Sequence, residues 1–297
     1  MKKIILLLIM AVMATNVMDA KTPKDAEENL AQALALLNKG DTKNGVKLLK
    51  QVAHDGYAPA LNHLAYLYLN GTDGVEKNEL LAAQCYGLSA DQEDDDGLCG
   101  LAYCYLNGLG VKKNAEKAVE LFTQAAKQNN GDAYMRLAMC YTDGVGVRRD
   151  RQKAFNWWML AAGQDNPEAW YQLARCYGDG IGVKADQARA VQWLTQAADA
   201  GHADAQQALA LRYFEGRGVK KSETRAVELW KKAADQGNAD AQFCLGECYE
   251  QGEGVKQDLT QARHFYNLAA AQGDRESQLA LKRLKNTQQP QPRKKRR

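Results

Sequence analysis

A Gly-Val pair recurs along the chain at Val75, Val111, Val147, Val183, Val219 and Val255, each 36 residues after the last. An Ala-Ala pair keeps the same step from Ala125 through Ala161, Ala197 and Ala233 to Ala269, with Ser89-Ala90 as its variant. A constant period of this size marks supersecondary units that cannot bury their apolar faces alone and must stack on their neighbours. Each column of the stack can then be read for what its position demands.

Three residues after each Val stands Asn78, Asn114, Asp150, Asp186, Ser222 or Asp258. All are helix N-cap residues, whose side-chain oxygen accepts a hydrogen bond from an otherwise unpaired amide of the first turn. From the cap, apolar or small residues follow at +4, +7, +8, +11 and +12, as in Ala154, Trp157, Trp158, Ala161 and Ala162. That spacing is one face of an α-helix. The helix before it carries small, Leu, small and Tyr at i, i+4, i+5 and i+8, as in Ala133-Leu137-Ala138-Tyr141 and Ala241-Leu245-Gly246-Tyr249. Small residues there let helix axes approach closely, and Leu and Tyr fill the gap.

The first helix of each pair ends at Gly-x-Gly-Val, where Gly108, Gly144, Gly180, Gly216 and Gly252 suit a left-handed C′ position. The second glycine of each motif reads as a further turn residue. After the second helix, Gly56, Gly201, Gly237 and Gly273 close the other turn; Asn129, Asp165 and, less expectedly, Glu93 take their place in three units. Residues 21–57 read as a shorter helical pair, with Asp41 as a cap and Leu48, Leu49 and Ala53 as its stripe. At the other end, Lys282 and Lys285 occupy core columns, which suits a capping helix. The expected fold is an all-α, right-handed α/α solenoid of about seven helix-turn-helix repeats with a C-terminal capping helix.

These columns, read from the small–Leu–small–Tyr helix through Gly-x-Gly-Val to the Ala-Ala pair, resemble the Sel-one-like repeat (SLR) family, relatives of the tetratricopeptide repeat. The resemblance covers roughly residues 58–286. It implies a concave surface, lined by the first helix of each pair, that binds other proteins. Some secreted, cysteine-rich relatives are linked to β-lactam binding or weak hydrolysis. Those relatives staple each repeat through a Cys at the end of the second helix, where this chain has Ala90, Ala126, Ala162, Ala198, Ala234 and Ala270. The staple is absent.

The ends differ from the body. Lys2 and Lys3, the apolar run Ile4–Ala14, and small residues at Ala14 and Ala20 read as a secretory signal over residues 1–20, cleaved after Ala20 or alternatively Ala14. The run is too short to span a bilayer, and no later one is long enough. Residues 287–297 are polar and end in Arg293-Lys294-Lys295-Arg296-Arg297, which reads as a disordered basic tail suited to an anionic surface or to nuclear import after delivery to a host. The formal charge is +3, so without the five tail cations the body is slightly acidic and unsuited to nucleic acid. Export to the periplasm or beyond is expected.

Chemistry has little to work with. None of Ser89, Ser222 and Ser277 has Lys three residues on, so no SxxK site is present. His54, His63, His202 and His264 lack metal-ligand spacing, and solvated roles are expected for His54 and His202 beside inter-repeat turns. Seven Cys include one column, Cys104, Cys140, Cys176 and Cys248, that neighbouring repeats hold too far apart to bridge. They read as small buried hydrophobes. Asp91–Gly97 fails the EF-hand pattern and reads as a solvated acidic turn. Lys112-Lys113, Arg148-Arg149 and Lys220-Lys221 form a basic edge that reads as a solvated face. No catalytic residue, metal or cofactor is assigned.

A repeat scaffold encodes its partner in columns that vary. After Leu-small come Tyr66, Tyr103, Met139, Arg175, Leu211 and Glu247; two residues after the first small residue come Asn62, Cys99, Met135, Tyr171, Gln207 and Phe243. A surface mixing Tyr, Met, Phe and Arg has the makeup of an interface core, although some of these side chains can equally pack on the next helix. The expectation is a non-enzymatic, exported, monomeric adaptor. It holds a protein or peptide against Tyr66, Tyr103, Met135, Met139, Tyr171, Arg175, Leu211, Phe243 and Glu247. Rival readings are a β-lactam or other small-ligand binder, and an effector that uses its basic tail.

Overall fold

The computed structural model describes residues 23–286 apart from Asp73. The expected signal and the basic tail lie outside the described residues. The chain divides into two compact units, with the boundary between Trp157 and Trp158.

The N-terminal unit begins with α1 (Pro23–Asn38) and α2 (Thr42–His54), then α3 (Ala58–Asn70) and α4 (Glu79–Ala90). It continues with α5 (Asp95–Asn107), α6 (Ala115–Ala126) and α7 (Gly131–Asp143). The boundary falls inside α8 (Arg151–Ala162). The C-terminal unit holds α9 (Pro167–Asp179), α10 (Gln187–Asp199), α11 (Ala203–Glu215) and α12 (Glu223–Asp235). It ends with α13 (Ala239–Gln251), α14 (Leu259–Ala271) and α15 (Arg275–Asn286). Among the described residues these make seven pairs and one final helix. The fold is an all-α solenoid with a repeat of about 36 residues, as the spacing requires. The first pair, α1 and α2, has the expected Asp41 cap, with Leu49 and Ala53 buried.

From α1 to α7 and from α9 to α15 consecutive helices pack on one another, and first helices of successive pairs also touch, α3 on α5 and α13 on α15. The caps are those the sequence specifies: the side chains of Asn78, Asn114, Asp186, Ser222 and Asp258 each accept an amide of the first turn. Asp150 likewise accepts from the Lys153 amide at 3.0 Å. Gly108 sits at φ 78° and ψ 32°, the left-handed cap predicted for it. Glu93, Asn129 and Asp165 adopt φ of 60°, 64° and 55°, so even Glu takes the turn role of glycine here. In the turn after α3, one residue longer than its counterparts, an isolated bridge joins Thr72 to Val75.

The second glycine of Gly-x-Gly-Val does more than turn the chain. A Cβ on Gly110 would lie 2.0 Å from the Glu79 carbonyl oxygen, and one on Gly146 would lie 2.3 Å from that of Ala115. Each therefore lets a turn rest on the first residue of the preceding repeat's second helix.

A column not singled out from sequence ties repeats together. Gln92 Nε2 donates to the Gly56 carbonyl at 2.9 Å and Gln128 Nε2 to that of Glu93 at 2.7 Å. In the C-terminal unit, Gln272 Nε2 donates to Gly237 O at 2.9 Å and to Gln242 Oε1 at 2.8 Å. These residues share the 36-residue period, which is the signal that marks them.

Candidate binding groove

The first helix of each pair exposes one column. Its Leu-small pair faces inward, with Leu137, Leu173 and Leu245 fully buried, so the next residue points to solvent. Tyr66 is 58% exposed, Met139 45%, and Tyr103 and Leu211 37% each; Arg175 is exposed as well, and Glu247 is half-buried.

The second variable column is half-buried, because its side chains pack on neighbouring helices. Tyr171 stacks on His202, ring centroids 5.1 Å apart, and Phe243 tilts against Tyr266 at 6.0 Å. Met135 is half-buried. Tyr171 and Phe243 thus serve packing, whatever surface they also offer.

In the N-terminal unit the two columns meet in a pocket of about 750 Å³. Tyr66 and Asn62 of α3 and Tyr103 and Cys99 of α5 line it. Met135 and Met139 do not. Sequence reasoning missed Tyr86, Asp96, Gly100, Asp132 and Arg136, which line it too. Gly100 could have been found, since it stands alone among His63, Arg136, Gln172, Ala208 and Cys244 in a column that varies as much as the other two. A Cβ there would lie 2.2 Å from the Tyr86 ring, so this glycine lets the ring form part of the pocket wall.

The charges around the pocket are partly spoken for. Lys77 Nζ pairs with Glu79 Oε1 at 3.1 Å, and the Arg136 guanidinium lies 5.4 Å from the centroid of the Tyr103 ring. The stretch expected as a solvated acidic turn is instead structural at its end. Asp94 Oδ1 caps α5 through the Gly97 amide at 2.8 Å and accepts from Asn62 Nδ2 and Ser89 Oγ. Asn130 Nδ2 donates to Asp95 Oδ2 at 2.9 Å and to Asp96 Oδ1 at 3.1 Å. Loss of water, then the neighbouring Asp95, holds the Asp96 carboxyl above its ordinary range, with Asp94 and Asp132 adding and the Asn130 bond opposing.

Cys99 is no nucleophile. Burial, then Asp132, pushes its thiol up to about 12, and its Sγ donates to Asn130 Oδ1 at 3.2 Å. The column Cys104, Cys140, Cys176 and Cys248 is buried as expected. Among the described residues no three His, Cys, Asp or Glu side chains cluster to hold a metal, and no helix is long and apolar enough to cross a membrane.

The expectation for His202 is corrected. It caps α11, accepting the Ala205 amide on Nδ1 at 3.2 Å, while its Nε2 lies 2.9 Å from Glu168 Oε2. Its side chain is 17% exposed, because the Tyr171 ring covers one face. At the basic edge, Lys221 pairs with Glu223 at 2.9 Å and lies over the Phe214 ring.

Stacked helix pairs that bury their small and Leu columns and turn a varied column outward define a helical-repeat scaffold. The Sel1 repeat model matches six consecutive stretches, 58–94, 95–130, 131–166, 167–202, 203–238 and 239–274, and the chain belongs to that family. A protective antigen of uropathogenic Escherichia coli strains, displaying an SLR fold, matches 87% of the chain at 30% identity and a TM-score of 0.78. This chain spans 56% of that antigen. A Sel1 repeat protein from Oxalobacter formigenes matches 81% of the chain and 96% of its own length, at 29% identity and a TM-score of 0.72. No curated protein matches the chain significantly.

Proposed function

We propose that this Sel1 repeat protein is an exported, monomeric, non-enzymatic adaptor that holds a protein or peptide against the exposed column of its first helices. One observation carries the reading. Tyr66, Tyr103, Met139 and Leu211 are large apolar side chains left open to solvent at one repeated position, directly after a buried Leu-small pair. Aromatic and Met side chains gathered on one surface are what an interface core uses. At the same position Arg175 of α9 adds a donor and Glu247 of α13 an acceptor, and Met135, Tyr171 and Phe243 border the column. Export rests on the signal pattern of residues 1–20.

The test is affinity capture from the producing cell's envelope and secreted fractions, with the parent chain and with the pair Tyr103→Asp and Tyr171→Asp. A protein retained by the parent and lost by the variant supports the adaptor. Equal retention by both removes this face from the function.

A further inference from the structure

Resting on that reading, we propose that the pocket of the N-terminal unit receives a lysine or arginine side chain of the bound peptide. Tyr66 supplies the open ring face, and Asp96 and Asp132 the charge.

Three features of the pocket converge on a cation. The first is its charge balance. Lys77 is taken by Glu79, and Arg136 is engaged over Tyr103, so the remaining charges in the lining are the carboxylates of Asp96 and Asp132. An incoming carboxylate would meet a single donor cation and two like charges. The second is the density of carboxylates beside the rim. Beyond the loss of water that raises the Asp96 carboxyl most, Asp95, Asp94 and Asp132 lie close enough to raise it further, so carboxylates crowd this rim. Asp94 caps α5, Asn130 donates to both Asp95 and Asp96, and Asp96 and Asp132 line the pocket.

The third is the ring set. The negative face of a tyrosine attracts ammonium and guanidinium groups, and the long stem of either side chain covers apolar surface as it enters. The pocket already shows this contact once, between Arg136 and Tyr103. Tyr66, at 58% exposure, is the ring left open. Tyr86, only 9% exposed and packed against Gly100, forms part of the pocket wall.

The experiment titrates the full chain against four labelled hexapeptides, acetyl-Gly-Ser-X-X-Ser-Gly-amide, with Arg, Lys, Gln or Glu at both X positions. Fluorescence anisotropy reads binding at low and at physiological salt. The Arg and Lys peptides should bind tightest, and Tyr66→Leu and Asp132→Asn should each weaken them roughly fivefold or more. Glu253→Gln, a carboxylate of the other unit, should leave binding unchanged, and thermal melts confirm that all variants fold.

Preference for the Glu or Gln peptide, or equal weakening by Glu253→Gln, overturns the proposal. Self-association of the parent that Tyr66→Leu abolishes would put this chain's own Arg293–Arg297 in the pocket and overturn the assignment to a partner. If no hexapeptide binds, yet envelope capture is still lost with Tyr103→Asp and Tyr171→Asp, the cation proposal fails while the adaptor stands. If capture also survives that pair of changes, both fail.

Discussion

Gly246 of α13 and the Tyr266 ring of α14 fit together because one of them has no side chain. A Cβ on Gly246 would lie 2.4 Å from the ring, which is fully buried. The ring is drawn over α13 because its hydroxyl reaches Glu250 Oε2 at 2.8 Å, the same oxygen that Arg283 of α15 approaches at 2.6 Å. Other repeats carry Ala in the Gly246 column, opposite Tyr86, Phe122, Leu194 or Trp230. The closing repeat has exchanged a methyl group for a buried, bonded phenol that ties α13, α14 and α15 together.

Gly246→Ala should therefore cost about 1–3 kcal/mol through overpacking. In a Tyr266→Leu background the same change should cost much less, because the leucine leaves the space vacant. Chemical denaturation of the four chains of this double-mutant cycle measures the coupling. Additive costs would mean that the two positions do not share one space.

The Gly-x-Gly-Val motif makes a prediction about unequal glycines. Gly110 combines φ of 67° with a backbone carbonyl 2.0 Å from where its Cβ would stand, so Gly110→Ala should destabilise by more than about 2 kcal/mol. Gly237 has φ of 90° but open space around it, and Gly237→Ala should cost only about 1 kcal/mol. Equal melting temperatures for the two variants would refute the inter-repeat role of the second glycine.

His202 occupies a column that otherwise holds Asp94, Asn130, Asn166 and Asn238 as caps. His202→Asn should keep the cap and lie within about 0.5 kcal/mol of the parent, whereas His202→Ala should lose about 1–2 kcal/mol. A large loss in both variants would shift the weight from the cap to the Glu168 and Tyr171 contacts.

The thiols set an alkaline limit. Burial pushes Cys85, Cys99, Cys244 and Cys248 up to about 12, and Cys104 and Cys176 up to about 11, from an ordinary 9.0. The unfolded chain then gives up these protons at lower pH than the folded one. Their stabilising contribution is full below pH 9.0 and is lost as pH rises toward 11 and 12. Melting temperature should fall above that point, and less steeply when Cys104 and Cys176 are both changed to Ala. Iodoacetamide at mildly alkaline pH should label the unfolded chain quickly and the native one slowly; rapid native labelling would contradict the buried-thiol account.

Much of the architecture was legible in local chemistry. A cap works through its own first turn and a left-handed glycine through its own φ, so Asn78, Asp186 and Gly108 declared helix ends without knowledge of any neighbour. The period of 36 then required stacking, because the small–Leu–small stripe cannot stay wet. Periodicity also separated inward from outward along one helix, which is why Tyr66, Tyr103, Met139 and Leu211 emerge exposed.

What lies across the gap between repeats was decided only by tertiary structure. Tyr171 and Tyr103 read alike in sequence, but His202 covers one and Arg136 accompanies the other. Gly100 reads as a neutral helix residue until the Tyr86 ring is set beside it, and Gly110 reads as a turn until the Glu79 carbonyl is. Helical spacing fixes the direction of a side chain from its own backbone. The space it enters is shaped by residues about one repeat away, whose size and charge no local pattern encodes.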